Sequence, residues 1–149
     1  MAEPVDDEAV RFAYPFEHTT DEEWAALWAA LDRVEEQGPP YADWVPSRRT
    51  ESGAFTMPYP RYTPVVGALT SAISAAGLVV VFAWPDWHGF RAYEDPAALG
   101  DAPVEDALWM LTRTVRGERF SDGVIETELN AGRLQAAVRR VRDEVTRRT

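Results

Sequence analysis

The stretch Val104–Gly123, VEDALWMLTRTVRGERFSDG, decides how this chain folds. Its apolar residues recur at helical spacing and fall on one narrow stripe, made of Val104, Leu108, Leu111 and Val115. The pattern predicts a helix that turns this stripe toward the core. Phe120, Ser121 and Ile125 then have the spacing of a hydrophobic staple with Ser121 as N-cap. This predicts a tight corner at 119–122 and a fourth helix after it.

Helix signals occur on both sides of that stretch. Thr20 and Glu23 have the spacing of a capping box, which predicts the start of a first helix. Thr63 and Pro64 suit the N-cap and N1 positions of a second helix. Gly132 predicts a break before an amphipathic C-terminal helix. Together with the helices on either side of the corner, this makes about five helices.

One apolar run has the character of a strand. Residues Leu78–Trp84, LVVVFAW, are continuous and β-branched, which predicts a buried strand. Its partner is either the 53–57 segment or the 11–16 segment. Residues 38–63, rich in proline and aromatic residues, are expected to be a functional loop or a coat on the core. The predicted fold is α+β and predominantly helical, with about five helices around a small two- or three-stranded sheet.

The composition sets limits on the kind of protein. At 149 residues, the chain is expected to have a disordered acidic tail over residues 1–10 and a single domain over residues 11–149. It has no cysteine, which excludes disulfides, thiolate zinc sites and cysteine nucleophiles. No secretory signal or membrane-length apolar run occurs, so a cytoplasmic location is expected. No nucleotide, hydrolase or metal-binding motif is found, and we therefore predict neither cofactor nor metal.

The charge is large, negative and unevenly distributed. The net charge is −10, with eleven acidic residues and two arginines in residues 1–36 against nine arginines and six acidic residues in 113–149. This balance disfavours free nucleic acid and anionic membranes as partners and leaves a protein partner or a small anionic ligand. The arginines of the terminal helix are expected to solvate its outer face rather than to bind an acidic partner. The chain contains no lysine, and with its many alanines this is typical of a high-GC bacterial genome.

Three arginines form the sharpest candidate site. Arg113, Arg116 and Arg119 lie at i, i+3 and i+6, and three guanidinium groups can hold a phosphate or a carboxylate bidentately. The alternative is structural: Arg119 pairs with an acid of the first helix, and the other two are solvated at a helix C-terminus. We favour the structural alternative because the three side chains do not share one helix face.

The segment after the predicted strand supplies further candidates. His88 is a possible general base that Asp86 would orient, although one histidine beside one aspartate is a weak signal. Trp84 and Trp87 either line a cleft with the tyrosines of 59–62 or pack on the core, and packing is favoured because large aromatic residues are mostly buried.

The same C-terminal stretch resembles an uncharacterised bacterial family, domain of unknown function 6508. Its pattern is a Leu-Thr helix, Arg-x-x-Arg-Phe-x-x-Gly, a short helix, a glycine and a terminal amphipathic helix. The matching residues are Leu111-Thr112, Arg116, Arg119-Phe120, Gly123, Gly132 and 133–146. Upstream, the second helix and the motifs Pro58-Tyr59-Pro60-x-Tyr62 and Phe82-x-Trp84 with Trp87 also match, so that the similarity covers roughly residues 20–146. The family pattern has an acid directly before the first of these tryptophans, where Ala83 stands here; any role of that acid passes to Asp86 or is absent. The resemblance implies one intact domain and no known activity. Separately, Phe120, Gly123 and Gly132 are expected to have structural roles, as are Thr20 and Glu23 of the capping box.

Two functions remain open from the sequence. The preferred one is a non-enzymatic binding module for a protein or a small anionic ligand; an immunity or antitoxin-like inhibitor of a basic enzyme is one version, suggested by size and acidity. The alternative is a small enzyme with a site between the 84–91 loop and Arg116 and Arg119. An enzyme needs these groups around one concave pocket, whereas a binder does not.

Overall fold

The protein is described by a computed structural model over residues 17–148. The helices are α1 (Asp21–Gln37), α2 (Pro64–Ala75), α3 (Val104–Gly117), α4 (Val124–Ala131) and α5 (Arg133–Arg148), and the strands are β1 (Ala42–Val45) and β2 (Tyr59–Tyr62). Short 3-10 turns occupy Trp84–Asp86, Gly89–Tyr93 and Pro96–Asp101. The predicted α+β, predominantly helical class is confirmed. The expected tail and the 11–16 segment lie outside the described residues.

The core lies where the predicted apolar stripes meet. α1 packs against α2, and α3 packs against α5. The side chains at their contacts are almost completely excluded from solvent; they include Leu27, Leu31, Val34, Leu69, Ile73, Leu108, Leu111, Val138 and Val141. Each such side chain contributes roughly 1.5–3 kcal/mol relative to full exposure. None of the helices in the described part of the chain is long and apolar enough to cross a membrane.

The helix boundaries follow the capping signals closely. The Thr20 hydroxyl accepts from the backbone N–H of Glu23 at 3.1 Å, and the Glu23 carboxylate accepts from the backbone N–H of Thr20 at 2.9 Å. This confirms the predicted capping box. Thr63 and Pro64 are at the predicted N-cap and N1 positions of α2, but the Thr63 hydroxyl makes no capping hydrogen bond.

The predicted buried strand over residues 78–84 is wrong. The segment is irregular, with bends at Val79 and Phe82 and no strand partner among the described residues, and Val81 is 79% exposed. Its backbone is held instead by Thr112 of α3. The Thr112 hydroxyl accepts from the Val80 N–H at 2.9 Å and donates to the Leu78 carbonyl at 3.4 Å. Because a helix side chain meets these backbone needs, an apolar β-branched run can lie on the core without entering a sheet.

The sheet lies instead in the region expected to be loop. β1 and β2 pair antiparallel, with Ala42 opposite Tyr62, and the 53–57 segment contributes only an isolated bridge between Arg49 and Phe55. Pro60 within β2 argued against a strand, because proline cannot donate to a ladder. In a two-stranded sheet both strands are edges, and an edge tolerates proline.

Several arginines of α5 form ion pairs or hydrogen bonds within the fold. Arg139 pairs with Glu35 of α1, and Arg140 donates to the Ala102 carbonyl at 2.7 Å. The nearly buried Glu144 pairs with Arg140, Arg147 and Arg148. Burial of Glu144 opposes its ionisation, but the hydrogen bonds from these arginines outweigh burial and lower its pKa. Arg139, Arg147 and Arg148 are exposed as expected, and they form ion pairs as well; among these arginines, only Arg140 is turned into the packing instead of toward solvent.

Candidate functional site

A cleft of about 490 Å³ opens between the Gly89–Tyr93 turn and three helices. We call it the Arg113 cleft; its lining residues are Phe90, Arg91, Glu94, Met110, Arg113, Glu128 and Arg133. Its volume lies within the range of small-molecule sites in proteins. α3 supplies Met110 and Arg113, while α4 and α5 supply Glu128 and Arg133, so most of its wall belongs to the packed core.

Arg113 is the unusual group of this cleft. Its guanidinium carbon lies 3.7 Å from the centre of the Phe90 ring, close enough for a strong cation–π contact. Within residues 17–148, its half-buried side chain makes neither an ion pair nor a hydrogen bond. Burial lowers the pKa of Arg113, opposed in part by the charge of Glu128 and assisted by that of Arg133. Such a cation lacks a counter-ion and can gain one from a ligand.

The charge of Glu128 acts on Arg113 only in part, because Glu128 makes its ion pair with Arg133 and none with Arg113 in the described residues. Arg133 donates Nε to Oε2 of Glu128 at 2.7 Å and Nη2 to Oε1 at 3.0 Å, and only 5% of Glu128 is exposed. Gly132, with φ at +79°, ends α4 between the two residues and lets α5 begin at once. The predicted break at Gly132 is confirmed, and it produces this bidentate pair at the cleft wall.

Aromatic packing fixes the ring on which Arg113 rests. Trp109, one turn before Arg113 on α3, packs 5.4 Å from Phe82 and 5.6 Å from Trp87 between ring centres. Trp87 contacts Phe90 edge-on at 6.3 Å. Trp87 therefore takes the packing role that the sequence favoured. The contacts are of the kind that stabilise aromatic pairs beyond simple burial.

The structure separates the three candidate arginines. Arg113 lines the cleft, whereas Arg116 and Arg119 do not. Arg119 lies two residues beyond Gly117, the last residue of α3, and is exposed. Among residues 17–148 it has no ion pair and no side-chain hydrogen bond, so the predicted pairing of Arg119 with an acid of the first helix is wrong. The reason is its position in a solvent-facing turn beyond the helix.

An acid, not an arginine, holds the corner between α3 and α4. The Glu118 carboxylate accepts from the backbone N–H groups of Gly123 and Ile125, each at 2.8 Å, and from the Tyr62 hydroxyl at 2.6 Å. Burial, followed by this hydrogen bond, raises the pKa of Tyr62. A carboxylate at a helix N-terminus satisfies otherwise unpaired N–H groups and suits the helix dipole. We call residues 118–123 the Glu118 turn.

The predicted staple at this corner is also wrong. The N-cap of α4 is Gly123 rather than Ser121, and Phe120 is 79% exposed and lies 5.8 Å from the Trp84 ring. Gly123 has φ at +94°, and a Cβ there would lie 2.9 Å from the Trp44 ring. Only glycine fits this close approach of the hairpin that β1 and β2 form. The glycine of the family pattern, Gly123, therefore has a physical reason.

Glu118 was missed from the sequence for an identifiable reason. It occupies a position that the Arg-x-x-Arg-Phe pattern leaves unspecified, five residues before the N-cap of the helix that it caps. A capping box places the acid three residues after the N-cap, so the usual search does not find it.

The remaining candidates lie away from the cleft. His88 and Asp86 are exposed, and Trp84 packs on Phe120; none of the three lines the Arg113 cleft. In the part of the chain that the structure describes, no group of three or more histidine, aspartate or glutamate side chains is arranged to hold a metal ion.

Comparison with known families gives one match. A family model described as "Family of unknown function (DUF6508)" matches residues 19–147. No curated protein and no solved structure matches the chain. The family match covers all the elements that build the Arg113 cleft and the Glu118 turn.

Proposed function

Because the chain belongs to the DUF6508 family, whose function is unknown, we propose one from the geometry: a non-enzymatic module that binds a small organic anion in the Arg113 cleft. The observation that carries the proposal is the half-buried Arg113 guanidinium, stacked on Phe90 at 3.7 Å without a counter-ion in residues 17–148.

The stacked geometry supports recognition of a carboxylate or a phosphate. The Phe90 ring covers one face of the guanidinium, which leaves the N–H groups at its edge for a bidentate contact. Three arginines and two glutamates line the cleft, and Glu128 is neutralised by Arg133. The cleft is thus locally positive in a chain of net charge −10, which would draw an anion to this place.

Titration calorimetry at low salt, with inorganic phosphate and a panel of mono-, di- and tricarboxylates, tests the proposal. The variant is Arg113→Gln, and Arg116→Gln on the same helix is the matched control. We expect Arg113→Gln to weaken the best ligand about tenfold or more, the size of one charged hydrogen bond, and Arg116→Gln to leave it unchanged. Equal affinities for the two variants, or no binding of any anion, would refute the proposal.

A protein partner is a second candidate, favoured by the exposed Phe120 beside Trp84. A large exposed aromatic side chain is a frequent anchor in protein interfaces. Phe55, which is 70% exposed, offers a matched control on the hairpin. A partner that wild type and Phe55→Ser capture from lysate, but Phe120→Ser does not, would support it; retention by Phe120→Ser would exclude this surface.

The enzyme alternative receives less support. It requires His88, Arg116 and Arg119 around one pocket, and none of them lines the Arg113 cleft. Arg119 and His88 are both exposed. We therefore prefer binding over catalysis.

A further inference from the structure

The charges that line the Arg113 cleft differ in whether the chain neutralises them. Glu128 and Arg133 form a bidentate pair with each other. Arg91, Arg113 and Glu94 have no ion pair in the described part of the chain. The cleft therefore offers a ligand two uncompensated cations and one uncompensated anion.

The two cations both line the cleft and both lie near the Phe90 ring. The guanidinium carbon of Arg113 lies 3.7 Å from the centre of the Phe90 ring, and that of Arg91 lies 5.8 Å from the same centre. Arg113 is half-buried, whereas Arg91 is exposed. A ligand seated beside this ring can direct one acidic group to the inner arginine and a second to the outer one.

The anion is Glu94, which follows the turn that carries Phe90 and Arg91. Its backbone carbonyl accepts from Nη1 of Arg133 at 3.3 Å, which fixes the residue at the cleft wall. Its side chain is exposed and not engaged in an ion pair within residues 17–148. The hydrogen bonds that Arg133 donates to Glu128 are the main cause of the raised pKa of Arg133, and the charge of Glu94 adds to it.

From this pattern we infer that the ligand of the Arg113 cleft is an acidic α-amino acid, with two carboxylates and one ammonium group. The inference rests on the proposed function and specifies it. The carboxylates pair with Arg113 and Arg91, and the ammonium group pairs with Glu94. The buried Met110, with Phe90, gives the methylene groups of the ligand an apolar surface.

Calorimetry with three related compounds tests the inference. L-glutamate carries all three groups, glutarate lacks the ammonium group, and 4-aminobutyrate lacks the α-carboxylate. We expect wild-type protein to bind glutamate about tenfold more tightly than either analogue, as one lost charged contact implies. Glu94→Gln should abolish the preference over glutarate, and Arg91→Gln the preference over 4-aminobutyrate. Arg116→Gln is the control and should retain both preferences.

Each result bears on one of the two proposals. If glutarate binds as tightly as glutamate and Arg113→Gln weakens both, the amino-acid inference is wrong and anion binding stands. The same holds if phosphate or another carboxylate binds through Arg113 while glutamate does not. If no anion binds, both fail. Arg91 and Glu94 are exposed, so unchanged melting temperatures of their variants will show that a loss of preference is not a loss of fold.

Discussion

Arg113 of the cleft and Glu118 of the turn are five residues apart along the chain, yet their charges are compensated in opposite ways. In the cleft a half-buried arginine has no acid partner within residues 17–148. In the turn a glutamate accepts three hydrogen bonds, while Arg119 beside it faces solvent. The surroundings of an arginine, and not its spacing in the sequence, therefore decide whether it stabilises the fold or is available to a ligand.

Glu118 and Arg113 also differ in what their charges contribute to the stability of the fold. The hydrogen bonds of Glu118 join α3, α4 and the hairpin, so its charge contributes to folding. The Arg113 charge is partly desolvated, and the Phe90 ring and the charge of Glu128 compensate it only in part, so it contributes little to folding or opposes it. A group of this second kind is typical of a functional site, where stability is given up for binding.

The largest effect is expected at the Glu118 turn. Glu118→Ala removes the acceptor of two backbone N–H groups and of the Tyr62 hydroxyl, all partly buried. We expect a loss of about 3 kcal/mol in the free energy of unfolding, measured by urea denaturation. Asp122→Ala is the control, because Asp122 is exposed on the same turn; it should change stability by less than about 0.5 kcal/mol. Equal effects of the two variants would contradict the assignment of Glu118 as the cap.

A smaller loss of stability is expected on substitution of Gly123, at the other end of the Glu118 turn. Gly123→Ala places a Cβ at φ +94°, 2.9 Å from the Trp44 ring. Backbone strain and the shift of the indole should together cost about 2 kcal/mol, measured as a change in melting temperature. A Cβ added at Gly67, within α2, would meet nothing within 4 Å beyond the backbone of its own helix, and Gly67→Ala should stabilise by roughly 0.5–1 kcal/mol. A neutral Gly123→Ala would show that the hairpin is not tightly docked there.

Substitution of Arg113 in the cleft is expected to leave the stability of the fold almost unchanged or to increase it. Arg113→Met keeps a long side chain on Phe90 and removes a partly desolvated charge, so the free energy of unfolding should change by less than about 1 kcal/mol or increase. Anion binding should be lost in the same variant. Urea denaturation and calorimetry on one preparation measure the two properties. A destabilisation as large as that of Glu118→Ala would make Arg113 a structural residue and erase the contrast between the regions.

The helices were predictable because their signals are local. The capping box at Thr20, the glycine at 132 and the apolar stripes each depend on residues within a few turns. The sheet was not predictable because strand pairing depends on a distant partner. The 78–84 run has stronger strand character than β1 or β2, yet its backbone bonds to Thr112 of α3, 32 residues from Val80.

The candidate site was predictable only in part, for a similar reason. Spacing identified Arg113 as a candidate but grouped it with Arg116 and Arg119, from which the structure separates it. Two contacts distinguish Arg113: its guanidinium lies over the Phe90 ring, and the nearby Glu128 is in an ion pair with Arg133. Both are contacts across elements, which helical periodicity does not contain.

The smallest effect, and the one that tests the comparison most directly, is expected for Arg119→Ala. An arginine that clamped the corner would cost about 3 kcal/mol on removal, from an acid left unpaired. Arg119 is instead exposed, without an ion pair in residues 17–148, so the change in unfolding free energy should stay within about 0.5 kcal/mol. Thermal unfolding of Arg119→Ala beside Glu118→Ala measures it under identical conditions. If Arg119→Ala lowered the free energy of unfolding as much as Glu118→Ala does, the turn would depend on both charges. A carboxylate that caps α4 would then not be a sufficient explanation of its stability.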